Sequence, residues 1–376
     1  MDQYSVSDFS TREATGVKNN EGPFPLPLIG NLHQLVYAMF ACKKTFVEAI
    51  SDFAKKYGSV HTFWFGPMPT VNICDYATAV DAMVKKGSAF ADRNVPYMFT
   101  AVRGNRGIIV SNGPLWQEQR RFALHTLRNF GMGRNIIEER IMYEFEITCE
   151  ELEKRLNAGE ASIDPDKMFD LLVGNIINRM LFTDRFEKKD EQRFFALKEK
   201  MDKSMENFSM FDMLLFAEWS EDLPLIRSRK ECLLKPFDDV INFIRGQIDQ
   251  SMWRDTSEDT VVGEFLIPKG TAISAQISVI MNDEKYFKDN HEFNPDRYLT
   301  EDKIDHMVVS FGLGKRACPG ESLAQAELYL IIANLLLRFE VTLDEEHLPS
   351  MQASQEKPGA LRIAKPYHIH FKKRVL

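Results

Sequence analysis

The stretch from Phe311 to Gly320 constrains the fold of this chain most. It reads Phe-Gly-Leu-Gly-Lys-Arg-Ala-Cys-Pro-Gly and joins a short apolar run, Met307 to Phe311, to a long pattern with helical spacing. Gly312 and Gly314 permit a backbone with positive φ and a close approach to a bulky group. Pro319 suits the first turn of a helix, where its missing N–H is not needed. The stretch therefore predicts a glycine-rich turn followed directly by a helix.

The cysteine at this junction is the candidate functional residue. Cys318 is expected beside unpaired backbone N–H groups at the start of the helix. The positive end of the helix dipole favours the thiolate, which is the form of cysteine that binds metal. Arg316, two residues earlier, is a planar cation suited to a carboxylate.

Two other interpretations fit the same residues. A single cysteine in such a turn is usually a buried structural residue. Alternatively, Gly312–Ala317 fits a dinucleotide-binding fingerprint, with Phe339–Leu343 as the second strand and Asp344 as its acid, which predicts an NAD-dependent oxidoreductase. Pro319 counts against this fingerprint because the motif needs an uninterrupted helix, and only a short tail remains to complete a sheet.

The third interpretation comes from a family resemblance. The stretch resembles the cytochrome P450 signature Phe-x-x-Gly-x-Arg-x-Cys-x-Gly at every fixed position: Phe311, Gly314, Arg316, Cys318 and Gly320. The resemblance implies a haem b cofactor with Cys318 as the axial thiolate ligand of the iron. It also implies a monooxygenase, with an NADPH-cytochrome P450 reductase as electron donor and a small apolar lipid or xenobiotic as substrate.

Further elements of the same family occur in family order. Trp116 and Arg120 match the pattern Trp-x-x-x-Arg, whose residues bond a haem propionate, and Arg254 stands where the family places a His or Arg on the other propionate. Arg297 lies in a Phe-x-Pro-x-Arg-Tyr element that locks the loop leading to the cysteine. The resemblance thus implies the cofactor-binding set Trp116, Arg120, Arg254, Phe311, Gly314, Arg316 and Gly320, with Cys318 on the metal.

The pattern of apolar residues predicts a mainly α protein with small β-sheets, an α+β class. Residues 1–22 are expected to be flexible, and residues 23–376 are expected to form a single cytochrome P450-like domain. Predicted hairpins pair Val60–Phe65 with Thr70–Cys74, and Val261–Ile267 with Ala272–Val279. Predicted helices cover Phe46–Tyr57, Tyr76–Lys86, Asn135–Leu156, Asp164–Leu181, Asp190–Met210, Leu234–Gln250 and Glu321–Phe339.

Two family motifs are missing from the sequence between about residues 250 and 254. One is the acid–Thr pair on the long central helix of the oxygen side of the haem. The other is Glu-x-x-Arg, which occurs only as Glu118 to Arg121, inside the helix of Trp116. The sequence therefore predicts an internal truncation that removes both helices, and no catalytic residue is identified. Such a loss is expected to expose apolar faces of neighbouring helices and to deprive Arg297 of its partner.

Composition and cysteine content limit which partners and which cellular compartment this chain is expected to have. A formal net charge of −8 argues against nucleic-acid binding. Five scattered cysteines without a C-x-x-C pair fit a reducing compartment and exclude an obvious zinc site. The family resides on the endoplasmic reticulum membrane, but the N-terminus shows no anchor, so a cytoplasmic location or peripheral membrane contact is also compatible. The alternative function is a non-catalytic, truncated P450 remnant with weak or no haem binding.

Overall fold

The structure is a computed structural model that describes most of the chain after residue 21. The described residues are 22–95, 97, 107–129, 135–160, 162–182, 185–207, 212, 220, 223–224, 226–229, 231–233, 254–290, 292, 294–299, 304–348 and 366–375. The predicted flexible segment, apart from Gly22, and the predicted helix Leu234–Gln250 lie outside these ranges. The α+β class is confirmed.

Helices carry more of the described residues than strands do, and the strands are short. The helices are α1 (Leu32–Val36), α2 (Phe46–Tyr57), α3 (Tyr76–Val80), α4 (Gly107–Val110), α5 (Gly113–Asn129), α6 (Asn135–Asn157), α7 (Pro165–Phe182), α8 (Lys188–Asn207), α9 (Ile277–Ile280) and α10 (Glu321–Arg338). The strands are β1 (Val60–Phe65), β2 (Met68–Ile73), β3 (Asp92–Arg93), β4 (Ser162–Ile163), β5 (Arg254–Asp255), β6 (Thr260–Val262), β7 (Phe265–Ile267), β8 (Ala272–Ala275), β9 (Phe339–Leu343) and β10 (Ile369–Lys373).

The chain groups into two compact units. The first comprises Met1–Gln117, Phe211–Asp222 and Ile248–Cys318, and the second comprises Glu118–Met210, Leu223–Gln247 and Pro319–Leu376. The expectation of a single domain over residues 23–376 stays a prediction.

A five-stranded sheet in the order β1-β2-β8-β5-β3 organises the first unit. β1 and β2 form the predicted hairpin, with Val60 opposite Ile73. β8 adds parallel to β2, and the short β5 adds antiparallel to β8. The core on this sheet is built from apolar strand residues and from the helical segment 76–85. This segment is α3 followed by one π-helical turn, Asp81–Lys85.

The second predicted hairpin is wrong. β6 pairs with β7, not with β8, so the hairpin closes within the run from Val261 to Ile267. Gly263 has a φ of 58° at this turn, a left-handed conformation that glycine adopts without strain. The turn Pro268–Thr271 leads instead to β8, which pairs in parallel with β2 and not with the strand before the turn.

The second unit is a helical layer with a three-stranded sheet in the order β4-β10-β9. Its core packs α6, α7 and α10 around Phe145, Ile176 and Ile331, and Phe339 and Phe371 extend it onto the sheet. Among the described helices, none has both the length and the apolar character that a membrane span requires.

One side of α10 exposes large apolar residues. Leu328, Tyr329 and Leu337 are 57%, 74% and 64% exposed, and Ile332 and Leu336 are about half exposed. The helix also ends one residue earlier than predicted, because Phe339 begins β9.

Candidate functional site

The segment before the cysteine forms a closed loop. Ile304–Met307 is a 3₁₀ turn, Gly314–Arg316 is another, and no strand connects them. The backbone N–H of Cys318 donates to the carbonyl oxygen of Phe311 over 2.8 Å and closes the loop. A dinucleotide fingerprint needs a strand directly before its first glycine. The NAD-binding interpretation is therefore wrong for this stretch.

The two loop glycines are required by geometry. Gly312 and Gly314 have φ values of 81° and 70°, as the sequence predicted. A Cβ atom on Gly314 would lie 1.6 Å from the carbonyl oxygen of Met83, in the π-helical turn Asp81–Lys85. The lack of a Cβ atom on Gly314 thus lets the loop lie close to the backbone of Met83, in the same unit. This contact fixes the loop on the sheet layer.

The buried guanidinium of Arg316 stabilises the cysteine loop through hydrogen bonds. The residue is 4% exposed. Its Nε donates to the carbonyl oxygen of Ala91 (2.5 Å), and its terminal nitrogens donate to the carbonyl oxygens of Ile108 (3.3 Å) and Ser111 (2.9 Å) and to Oδ1 of Asn112 (3.0 Å). These neutral oxygens make the buried charge tolerable and lock the position of Arg316.

Trp116 lies against the same guanidinium. The carbon at the centre of the Arg316 guanidinium is 3.8 Å from the centroid of the Trp116 ring, a cation–π contact, and Trp116 is 4% exposed. The sequence placed both residues among the cofactor-binding set but did not predict that they touch. Their contact joins the first turn of α5 to the cysteine loop.

Asn112 is a residue that the sequence analysis missed. Its Oδ1 accepts from Arg316 and from the backbone N–H of Arg93 (2.8 Å), and its Nδ2 donates to the carbonyl oxygen of Arg93 (2.8 Å). Arg93 is itself 7% exposed. One asparagine thus connects two buried arginines, and an Asn-Gly pair before a helix gives no signal for such a role.

The remaining predicted site residues are distributed over both units. Arg254 lies in β5, paired with Ile273 on one side and Arg93 on the other; its side chain lies outside the described part of the structure. Arg120 is half-buried on α5 and belongs to the second unit, as does Gly320, the N-cap residue of α10. Phe311 and Cys318 are partly buried. The individual roles of these residues stay predictions.

Arg297 does not depend on the missing glutamate for its hydrogen bonds. Its guanidinium donates to the backbone carbonyl oxygens of Lys288 (2.6 Å), Asp289 (3.0 Å), Glu292 (2.8 Å) and Asn294 (2.9 Å). The absence of the family's glutamate was expected to leave this charge uncompensated, but these carbonyl dipoles stabilise the cation.

A buried carboxylic acid occupies α10 in the second unit. Glu327 is 8% exposed, and its Oε1 has no hydrogen-bond partner within the described residues. Burial raises the pKa of this carboxyl group to about 7, because water no longer stabilises the charged form.

Comparison with known proteins identifies the family. The family model "Cytochrome P450" matches residues 21–252 and 245–371. The chain is 28% identical to the probable cytochrome P450 cyp-35D1 of Caenorhabditis elegans over 443 aligned positions, covering 85% of this chain and 88% of the relative. It is 26% identical to cytochrome P450 2C23 of Rattus norvegicus, covering 93% and 92%, and 24% identical to cytochrome P450 2B2 of the same species, covering 94% of each. The chain therefore belongs to the cytochrome P450 family, whose members are monooxygenases that bind haem b through a cysteine thiolate.

Proposed function

We propose that this chain binds haem b through Cys318 and oxidises small apolar substrates with electrons from NADPH-cytochrome P450 reductase. The observation that carries the proposal is the closed loop Phe311–Cys318, held by the buried guanidinium of Arg316. A loop fixed in this way holds the sulfur in one position, from which Cys318 would bind the haem iron. Family membership supports the reaction class, and an apolar lipid or xenobiotic is the substrate class proposed for it.

The donor set near the cysteine fits a haem. A thiolate is a soft ligand suited to haem iron, and buried guanidinium groups favour a cofactor that carries carboxylates. Arg93 and Arg316 provide such a positive environment within the first unit. When bound, the haem supplies the redox chemistry for inserting one oxygen atom of O₂ into the substrate.

The protein residues would orient the cofactor. Trp116, Arg120, Arg254 and Arg316 are the proposed contacts to the propionates, since a charge-assisted bond from an arginine fixes both distance and direction. Arg316 also has a second task, because its described hydrogen bonds hold the loop that carries Cys318. Phe311, Gly314 and Gly320 shape the backbone around the sulfur.

We further propose that the chain lacks an internal segment near residue 250 that other family members have. The family model matches in two pieces that meet at residues 245–252. The alignments with relatives extend over 443 to 472 positions, more than the whole chain of 376 residues, so the relatives contain positions without a counterpart here. The exposed apolar side of α10 agrees with the loss of a packing neighbour, as does Oε1 of Glu327, for which the described part of the chain supplies no partner. Sequencing the transcript across the codons for Gln250 and Ser251 tests this proposal: adjacent codons support the deletion, and further codons between them would contradict it.

The absorption spectrum of the reduced, carbon-monoxide-bound protein tests the haem assignment. The purified chain, reconstituted with hemin, is expected to give a Soret band strongly red-shifted by the thiolate ligand, and Cys318→Ala should abolish this band. Cys232→Ala removes an exposed cysteine and serves as the matched control, which should keep the band. Haem content and circular dichroism of each variant separate loss of ligation from loss of folding.

Three outcomes decide between the proposals. A red-shifted band that persists in Cys318→Ala would remove Cys318 from the ligand assignment. An unshifted band, or no bound haem in a folded wild-type chain, would favour the non-catalytic remnant. A shifted band together with reductase-dependent consumption of NADPH would support the monooxygenase. Flotation with liposomes then tests the peripheral membrane contact and the endoplasmic reticulum location proposed from the family.

A further inference from the structure

Two histidines and one aspartate meet where β9 and β10 lie side by side in the second unit. Asp344 directly follows β9, and His368 directly precedes β10. His347 belongs to the turn after β9, and the backbone N–H of His368 donates to its carbonyl oxygen over 3.1 Å. One potential ligand atom from each of the three side chains lies within 4.8 Å of the other two.

The aspartate is oriented by hydrogen bonds. Asp344 is 5% exposed. Its Oδ2 accepts from Oγ of Ser162 on β4, at the far side of β10 (2.5 Å), and its Oδ1 accepts from the backbone N–H of Glu346 (2.9 Å). Nδ1 of His347 lies 3.2 Å from the same Oδ2. Hydrogen bonds of this kind fix the carboxylates that bind metals in proteins.

The second histidine has a buried ring nitrogen to satisfy. Nδ1 of His368 is buried and has no hydrogen-bond partner within the described residues. The rings of His347 and His368 are 4.6 Å apart between centroids and nearly perpendicular. A buried polar atom without a partner costs free energy, and ligation of a metal is one way to remove that cost.

We propose that Asp344, His347 and His368 form a binding site for Zn²⁺. Two imidazole nitrogens and one carboxylate oxygen suit a borderline-soft divalent metal and disfavour Ca²⁺ and Mg²⁺, which take oxygen ligands. Ligand atoms of a tetrahedral zinc site are about 3.3 Å apart, so the three groups must move closer on binding. The side chain of His347 is 50% exposed, so its ring can turn towards the metal once its contact with Oδ2 of Asp344 is released, and water takes the fourth position.

The site would act as a clip at the end of the three-stranded sheet. Its ligands come from the turn after β9 and from the start of β10, so one metal ion joins the two chain segments on either side of residues 349–365. A metal that binds the folded chain and not the unfolded chain stabilises the fold by its binding free energy. The site uses none of the residues assigned to the haem.

Isothermal titration calorimetry with Zn²⁺ on the full, untagged, chelator-treated chain tests the site. One zinc ion per chain is expected at this site. His347→Ala and His368→Ala should each weaken the affinity about tenfold or more, and Ser162→Ala should weaken it about tenfold, because it releases the orientation of Asp344. His306→Ala is the matched control, since this histidine of the first unit has a side chain 54% exposed and should leave the affinity unchanged.

A second measurement does not depend on the folding of variants. X-ray absorption at the zinc edge of the wild-type protein should show two imidazoles and only light ligands. Sulfur in the zinc coordination shell would overturn the proposal, because it would place the metal on cysteines. Equal zinc affinity in His347→Ala and the wild type, or an affinity lost only in His306→Ala, would overturn it as well.

Discussion

Arg316 in the first unit and Glu327 in the second show two different environments for a buried ionisable group. In the first, the guanidinium of Arg316 is 4% exposed and donates to four oxygen atoms while it stacks on Trp116. In the second, the carboxyl group of Glu327 is 8% exposed, and its Oε1 has no partner among the described residues. The first group has four described hydrogen-bond acceptors, whereas burial alone raises the pKa of the second.

We interpret this difference through the proposed internal deletion. Every described acceptor of Arg316 lies within residues 91–112, inside the same unit, so the cysteine loop carries its own support. Glu327 lies on α10, the helix with the exposed apolar side. The proposed internal deletion accounts for both features of α10, since a lost neighbour removes a polar partner and an apolar cover together.

Replacement of Arg316 is expected to have the largest effect. Arg316→Ala removes the hydrogen bonds to three backbone carbonyl oxygens and to Oδ1 of Asn112, and it removes the stacking on Trp116. The free energy of unfolding should fall by about 5 kcal/mol, which urea denaturation would measure. Lys315→Ala, at the adjacent exposed residue, should change it by less than about 0.5 kcal/mol. Equal stability of the two variants would contradict the supporting role of Arg316.

Glu144, in the same unit as Glu327, is a buried acid that has charged partners. It is 1% exposed and lies 3.3 Å from both Arg179 and Arg185. Glu144→Gln should lower the free energy of unfolding by about 3 kcal/mol, because it leaves two partly buried cations without their counter-charge. Glu151→Gln breaks an exposed pair with Lys188 and should cost less than about 0.5 kcal/mol. If both variants unfold at the same urea concentration, burial does not decide the strength of these pairs.

Replacement of Glu327 should stabilise the protein, and only at high pH. The folded pKa is raised to about 7 from an ordinary value of 4.5, so the folded state holds a proton that the unfolded state has released between these pH values. Stability should therefore fall as pH rises from about 4.5 to about 7 and stay low above that. At pH 8, Glu327→Gln should be more stable than the wild type by up to about 3 kcal/mol, and at pH 4.5 the two should agree.

Urea denaturation of both proteins across this pH range makes the comparison. The difference between the two curves isolates Glu327, because other titrating groups contribute equally to both. A constant difference from pH 4.5 to pH 8 would show that Glu327 has a partner that keeps it charged. In that case the contrast with Arg316 would no longer hold.

Several local features could be predicted because neighbouring residues decide them. α2 has the predicted bounds, since Thr45 and Glu48 form a capping box at its start and Gly58 follows its end. The positive φ of Gly312 and Gly314 followed from their residue type. The pairing of β8 could not be predicted, because a parallel strand partner is chosen by contacts far away in the chain.

The sequence by itself determined the family, the ten-residue cysteine loop and the residues proposed to hold the cofactor, because a dense motif specifies side-chain chemistry at fixed spacing. Only the tertiary structure decided what those residues touch. Asn112 and Trp116 reach Arg316 across about 200 residues of sequence, and Ser162 reaches Asp344 in the same way. Such contacts depend on how strands and helices pack, and packing is settled by the whole chain and not by any local pattern.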